Sequence, residues 1–263
     1  MIVIGERINS SRTPILQALR NRDSTFLQGE AQKQADAGAQ LIDVNAAATL
    51  EDEPDSLAWL VEIVQQVVDK PLCLDSPNPE ALTRALRVHR GKAMINSITG
   101  EKDRFSAILP LVLEYGASVI ALCMDDQGLP ETPAQRIRIA TSLLEKLTEA
   151  GVPKEDIYFD PLVKPVSAVY TAGLDVLETV RILKTELGAQ TVCGLSNISY
   201  GLPNRHTVNR AFTLMVMAAG MDAVLIDPLD PGLMSLIRAG RVILGQDPYA
   251  SDYIRAFREG QLV

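Results

Sequence analysis

The nine residues PLCLDSPNP (71–79) contain the plan of the whole chain in miniature. A short apolar run ends on an acid, Asp75, and Asn78-Pro79 then reads as the N-cap and first-position proline of a helix. Outward from this stretch the same phrase returns as IVIGE (2–6), LIDVN (41–45), AMINS (93–97), VIALCM (119–124), IYFDP (157–161), TVCGLS (191–196) and AVLID (223–227). With PLCLD these make eight runs of strand type. Between them, apolar residues fall at helical spacing: Leu57, Leu60, Val61, Val64 and Val68, then Leu143, Leu144 and Leu147, then Leu214, Met215 and Ala218. Thr132-Pro133 marks a second helix start, and the tail DPYASDYIRAFREG predicts a short last helix capped by Ser251 and ended by Gly260.

Near-continuous apolar strands alternating with helices imply a parallel sheet covered on its outer face. Eight units suffice to close it, which predicts an α/β TIM (β/α)8 barrel, a fold that takes about 250 residues as one unit. The whole chain, 1–263, then forms a single domain. A doubly wound open sheet is the minor alternative, and the GxGxxG turn usual after its early strand does not occur here.

Composition narrows the function classes. A hydrophobic share of 47% with 22% charged residues suits a soluble protein with a large core. The net charge of −8, with no Lys/Arg block, argues against nucleic acid or an anionic membrane surface as partner. The opening MIVIGERINSS is not of signal-peptide type and no run reaches membrane-spanning length, so a cytoplasmic location is expected. Cys73, Cys123 and Cys193 each sit in an apolar run, without CxxC, and the two histidines, His89 and His206, lie far apart. Buried thiols are expected, with neither a metal site nor a disulfide. His89 is expected on a solvated face, His206 at the opening of a helix, and Met215, Met217 and Met221 in the core.

Barrel chemistry collects at the C-terminal ends of the strands. Those ends carry Glu6 with Asn9, Asp43 with Asn45, Asp75, Asn96, Asp125 with Asp126, Asp160, Asn197 and Asp227. Any one of these is most simply a cap for the next helix, and Asp222 and Asp227 read most simply as structural. Three are not needed as caps. Asp75 has Asn78 behind it, Asp160 precedes a proline far from the next helix, and Asn197 is followed by the long stretch ISYGLPNR. A mouth rich in Asp and Asn suits a neutral heterocycle with several N–H donors: a pterin, a purine or a sugar.

Taken together and in order, IGERIN (4–9), DVNAA (43–47), LCLDS (72–76), MINS (94–97), DPL (160–162) and GLSNIS (194–199) resemble the pterin-binding methyltransferases. The chain is similar in particular to methyltetrahydrofolate:corrinoid protein methyltransferases over essentially its full length. The resemblance implies a barrel that takes tetrahydrofolate or 5-methyltetrahydrofolate as substrate. It would exchange the N5 methyl, in either direction, with the cobalt of a corrinoid (cobalamin) carried by a partner protein. It further implies that Asp75, Asn96 and Asp160 hold the pterin ring, that Asn197 lies near N5, that Arg205 lies near the substrate, and that the chain forms a homodimer. Where the family often has a glutamine three residues after the GLSN asparagine, this chain has Tyr200. Dihydropteroate synthases resemble it less, because GLSNIS stands in place of their lysine-bearing motif. A non-catalytic folate-binding or corrinoid-docking module is the third reading. A carboxamide N–H from Asn197 would stabilise charge developing at N5, with no titrating side chain required as acid.

Overall fold

The structure, a computed structural model, describes residues 1–263. The eight apolar runs are strands β1 (Ile2–Asn9), β2 (Leu41–Asn45), β3 (Leu72–Asp75), β4 (Met94–Ile98), β5 (Ser118–Leu122), β6 (Ile157–Asp160), β7 (Gln190–Gly194) and β8 (Ala223–Ile226). They pair in sequence order, all parallel, and β8 returns to β1 from Ile2↔Ala223 to Gly5↔Ile226. The sheet is therefore closed, a (β/α)8 barrel rather than an open doubly wound sheet.

Helices α1 (Thr13–Arg20) and α2 (Ser24–Asp36) follow β1. The others are α3 (Glu53–Val64), α4 (Pro79–Val88), α5 (Lys102–Tyr115), α6 (Pro133–Glu149), α7 (Ala172–Thr185), α8 (Arg205–Ala219), α9 (Pro231–Ile243) and α10 (Ser251–Arg258). None is long and apolar enough to cross a membrane. Asn78 accepts the Glu80 N–H at 2.9 Å and Thr132 forms a capping box with Gln135, as their sequences predict.

The core has two shells. Most buried apolar residues lie between strands and helices, while Ile4, Cys73, Met94, Ile120, Val192, Ala223 and Leu225 pack together inside the barrel. Strand side chains alternate, so the residue two places further along also faces inward. That step turns Ile4 into Glu6, Cys73 into Asp75, Met94 into Asn96, Tyr158 into Asp160 and Leu225 into Asp227. One pleat below the mouth, the lining changes from apolar to acidic.

Several local expectations are corrected. The N-cap position of α10 is Ala250, in the left-handed region, and the free N–H groups of Asp252 and Tyr253 are taken up by the Asp247 carboxylate, while Ser251 is already the first helical residue. Val68 is buried beyond the end of α3 rather than within it. The buried stripe of α8 runs through Phe212, Thr213, Val216 and Met217, one step away from Leu214, so Met215 is 48% exposed and Ala218 faces outward. His89 is half-buried, its Nε2 accepting the Leu72 N–H at 3.3 Å, because the chain turns back under β3 after α4. Met217, Met221 and the three cysteines are buried as expected.

Candidate functional site

A cavity of about 480 Å³ opens at the C-terminal mouth of the barrel, walled by Glu6, Asp43, Asp75 and Asp227 with Asn197 and Arg205 at its edge. The wall at β1 depends on an irregularity in register between Gly5 and Ile8. Before it, even-numbered residues face inward; after it Ile8 is packed outside and Asn9 reaches the cavity. Bulges at barrel rims commonly re-aim side chains in this way. Arg7, pointing the other way, binds Glu30 and reaches Asp227 at 2.7 Å, so Asp227 is both a cavity wall and half of an ion pair.

Asp75 is oriented by a chain of polar contacts. Asn45 donates to Asp75 Oδ2 at 3.0 Å and accepts from Ser10 Oγ at 2.6 Å. Asn96 pairs with Asp75 across β3 and β4, and Arg104 from α5 ties the two strand ends together by donating to the carbonyls of Ser76 and Ser97. Asp43 is almost fully buried, and its Oδ1 has no hydrogen-bond partner. Burial and the neighbouring Asp75 raise its pKa well above the carboxylate range, against the opposing pull of Cys73 and Asn96. Burial likewise lifts Asp75 to about 6, with the Asn45 contact opposing the rise and the Glu53 charge adding to it.

On the opposite wall, burial raises Asp160 to about 6 even though the N–H groups of Leu162 and Gly194 favour its charged form. The Leu162 N–H reaches Oδ1 at 2.7 Å from a residue with φ of 62°, a left-handed turn just past Pro161. Asn197 sits exposed in a 3-10 turn, Leu195–Ser199, directly after β7. Its Nδ2 lies so close over Gly194 that a Cβ there would come within 3.1 Å. Arg205, the first residue of α8, donates to Ser196 O at 2.7 Å and Ser199 Oγ at 3.0 Å, bracing that turn, and lies 5.9 Å from the Tyr200 ring.

Of the residues singled out from sequence, Asp75, Asn197 and Arg205 wall the cavity itself. Asn96 and Asp160 occupy the same inward layer on β4 and β6. Asp125 and Asp126 do not join them. β5 ends at Leu122, and the two acids turn aside into a separate 310 Å³ pocket, where Asp125 pairs with Arg138 and Asp126 accepts the Lys102 N–H.

Residues 5–227 of the chain match the family model described as pterin binding enzyme. The chain belongs to the pterin-binding enzyme family. Among curated relatives it is 33% identical over its full length to the methylcorrinoid:tetrahydrofolate methyltransferase of Eubacterium limosum, covering 98% of that protein. It is 30% identical to the methionine synthase of Mycobacterium leprae over 86% of its own length, a match spanning 20% of that larger protein. A solved structure of Xanthomonas albilineans dihydropteroate synthase with 4-aminobenzoic acid superposes with a TM-score of 0.72 at 19% identity, covering 94% of this chain and 92% of that one. That likeness is one of fold.

The site of this pterin-binding enzyme contains groups that sequence reasoning underrated. Asp43 and Asn45 fall on the inward face of LIDVN by simple alternation, a signal that was present in the strand. Glu6 is raised to about 7, through burial first and the Asp227 charge second, opposed by Ser196, Arg12 and Arg205. His206 opens α8 as expected, but it also lines the cavity and places Nδ1 3.1 Å from Asp230 Oδ2.

Proposed function

We propose that this enzyme exchanges a methyl group between N5 of tetrahydrofolate and the cobalt of a corrinoid carried by a docking partner protein. Full-length similarity to a methylcorrinoid:tetrahydrofolate methyltransferase carries this reading. The site's chemistry supports it. Three half-buried carboxyls with raised pKa values are acceptors held short of donors, and the 2-amino and ring N–H groups of a pterin supply donors. In this reading Asp75, Asn96 and Asp160 hold the pterin ring from the inward layer, and Arg205 positions the turn that carries Asn197.

Methyl loss from N5 requires positive charge on a poor leaving group. The Asn197 carboxamide, at the cavity edge, donates toward N5 as charge changes there, an interaction that strengthens in the transition state. The corrinoid is the second substrate and enters over the open mouth; residues 1–263 form one pterin-binding domain, working in the cytoplasm as a homodimer. Anaerobic single-turnover absorbance tests the reading: methylcobalamin mixed with tetrahydrofolate and enzyme converts to the Co(I) form. Asn197→Ala slows that conversion by roughly 10²-fold, with folate affinity comparatively intact. Equal rates in mutant and wild type remove Asn197 from this role.

A further inference from the structure

Methyl exchange moves one proton per turnover. When N5-methyl is attacked by Co(I), the cobalt electron pair forms the Co–C bond, the N–C pair stays on nitrogen, and N5 finishes with a proton. In reverse, the N5 lone pair attacks the methyl carbon, the Co–C pair stays on cobalt, and N5 gives up its proton. Asn197 cannot hold or take that proton, since a carboxamide does not titrate in this range.

Glu6 stands where such a group is needed. Its Oε1 accepts from Ser196 Oγ at 2.8 Å, and Ser196 is the residue next to Asn197. Glu6 walls the main cavity and also a second chamber of about 50 Å³ behind it, shared with Asn209, His206, Asp227 and Asp230. Leu195, Ile226 and Leu233 complete its wall, and a water held in a space of that size would find its polar partners among Glu6, Ser196, Asn209, His206 and the two aspartates. The buried Oδ1 of Asn209, a residue lining both spaces, has no protein partner, and the His206 side chain is 76% exposed while its Nδ1 contacts Asp230. Acid, small chamber and solvent-exposed imidazole thus adjoin one another on the side of the cavity that also carries Asn197.

We propose that Glu6 is the proton-holding residue of the methyl exchange, and that it trades its proton with solvent through the chamber bounded by Asn209 and His206. The assignment rests on the methyl-exchange reading above. The charged and titratable groups facing Glu6 are Asp227 after β8, Arg12 after β1, Arg205 and His206 on α8, Asp43 on β2 and Cys193 on β7. Burial and Asp227 favour the proton; Ser196, Arg12 and Arg205 oppose it. The balance near 7 leaves both forms populated at neutral pH, so one residue serves both directions of transfer.

The test compares wild type with Glu6→Gln, which keeps a group able to meet Ser196, and with Glu6→Ala. Single-turnover methyl transfer is followed against pH, tetrahydrofolate affinity by calorimetry, and the protonated-carboxyl stretch by infrared difference spectroscopy. Glu6→Gln is expected to transfer methyl roughly 10²-fold more slowly and to lose the inflection near 7, with folate affinity changed only a few-fold. The infrared band that titrates near 7 disappears in Glu6→Gln, and formate restores Glu6→Ala in a dose-dependent way. A Glu6→Gln enzyme that keeps the wild-type rate and pH profile overturns the assignment alone. So does a loss that lies wholly in folate affinity, without formate rescue. Absence of transfer in wild type overturns the methyl-exchange reading, and this assignment with it.

Discussion

Replacing Asp160 with asparagine is expected to make the ligand-free protein more stable while removing its grip on the pterin. The Asp160 carboxyl is raised from 3.8 to about 6 by burial, so ionising it costs free energy in the folded state. A raised carboxyl contributes its full stability below the unfolded pKa of 3.8, where both states carry the proton. As pH rises, the unfolded chain ionises first, and the contribution is lost progressively until the folded carboxyl has also ionised, above about 6. The loss then amounts to about 3 kcal/mol from the width of that window, or about 2 kcal/mol allowing for solvent at its exposed edge. The carboxamide oxygen of the variant would still accept the Leu162 N–H, a bond made at 2.7 Å in the wild type, so the swap removes charge while keeping that contact. Thermal unfolding of ligand-free Asp160→Asn at about pH 8 should show a gain of roughly 4–8 °C over wild type. At about pH 3, below the unfolded pKa, the gain should vanish, and at both pH values tetrahydrofolate should no longer raise the melting temperature. Destabilisation at pH 8, or an equal gain at both pH values, would refute the reasoning that an unpaired buried charge is stored here for a ligand.

Gly194→Ala places a Cβ 3.1 Å from Asn197 Nδ2, so the carboxamide must shift by a few tenths of an ångström. Methyl transfer should slow by roughly tenfold while calorimetric folate affinity holds; parallel loss of both would show that the turn merely collapses. Tetrahydrofolate binding at a pH near 6 should release protons, because N–H donors from the ligand favour the ionised forms of Asp75 and Asp160. Binding enthalpies measured in buffers of different ionisation heat should then differ, and identical enthalpies would contradict the pairing.

The barrel was readable because each strand is a short apolar run, and in β1, β2, β3 and β6 the run ends on Asp or Asn, a change of character that marks the boundary between packed interior and mouth. Alternation alone places Asp75, Asn96 and Asp160 in one layer, since each stands two residues beyond an inward apolar side chain. Other features had no local signal. The β1 register shift lets Glu6 and Asn9 both reach the cavity, although strict alternation from Glu6 would turn Ile8 inward and Asn9 away. Asp125 and Asp126 follow an apolar run like the others, but that run leaves the sheet at Leu122, and its last residues steer the acids into a different pocket. The His206–Asp230 contact joins positions 24 residues apart on successive units, and only the closed fold brings it behind Glu6. Asp43 was visible as an inward residue of LIDVN, but its unpartnered oxygen and depth appear only once β2 is packed between its neighbours.

In the proposed reaction a methyl group crosses between cobalt and N5 in this barrel. Isotope-labelled methylcobalamin, incubated anaerobically with tetrahydrofolate and the enzyme, tests it most directly, with the folate product examined by NMR. Label is expected to appear, only in the presence of enzyme, as an N5-methyl on tetrahydrofolate, matched by an equal amount of Co(I). Label remaining entirely on cobalt, while tetrahydrofolate binds the same protein sample tightly, would contradict it.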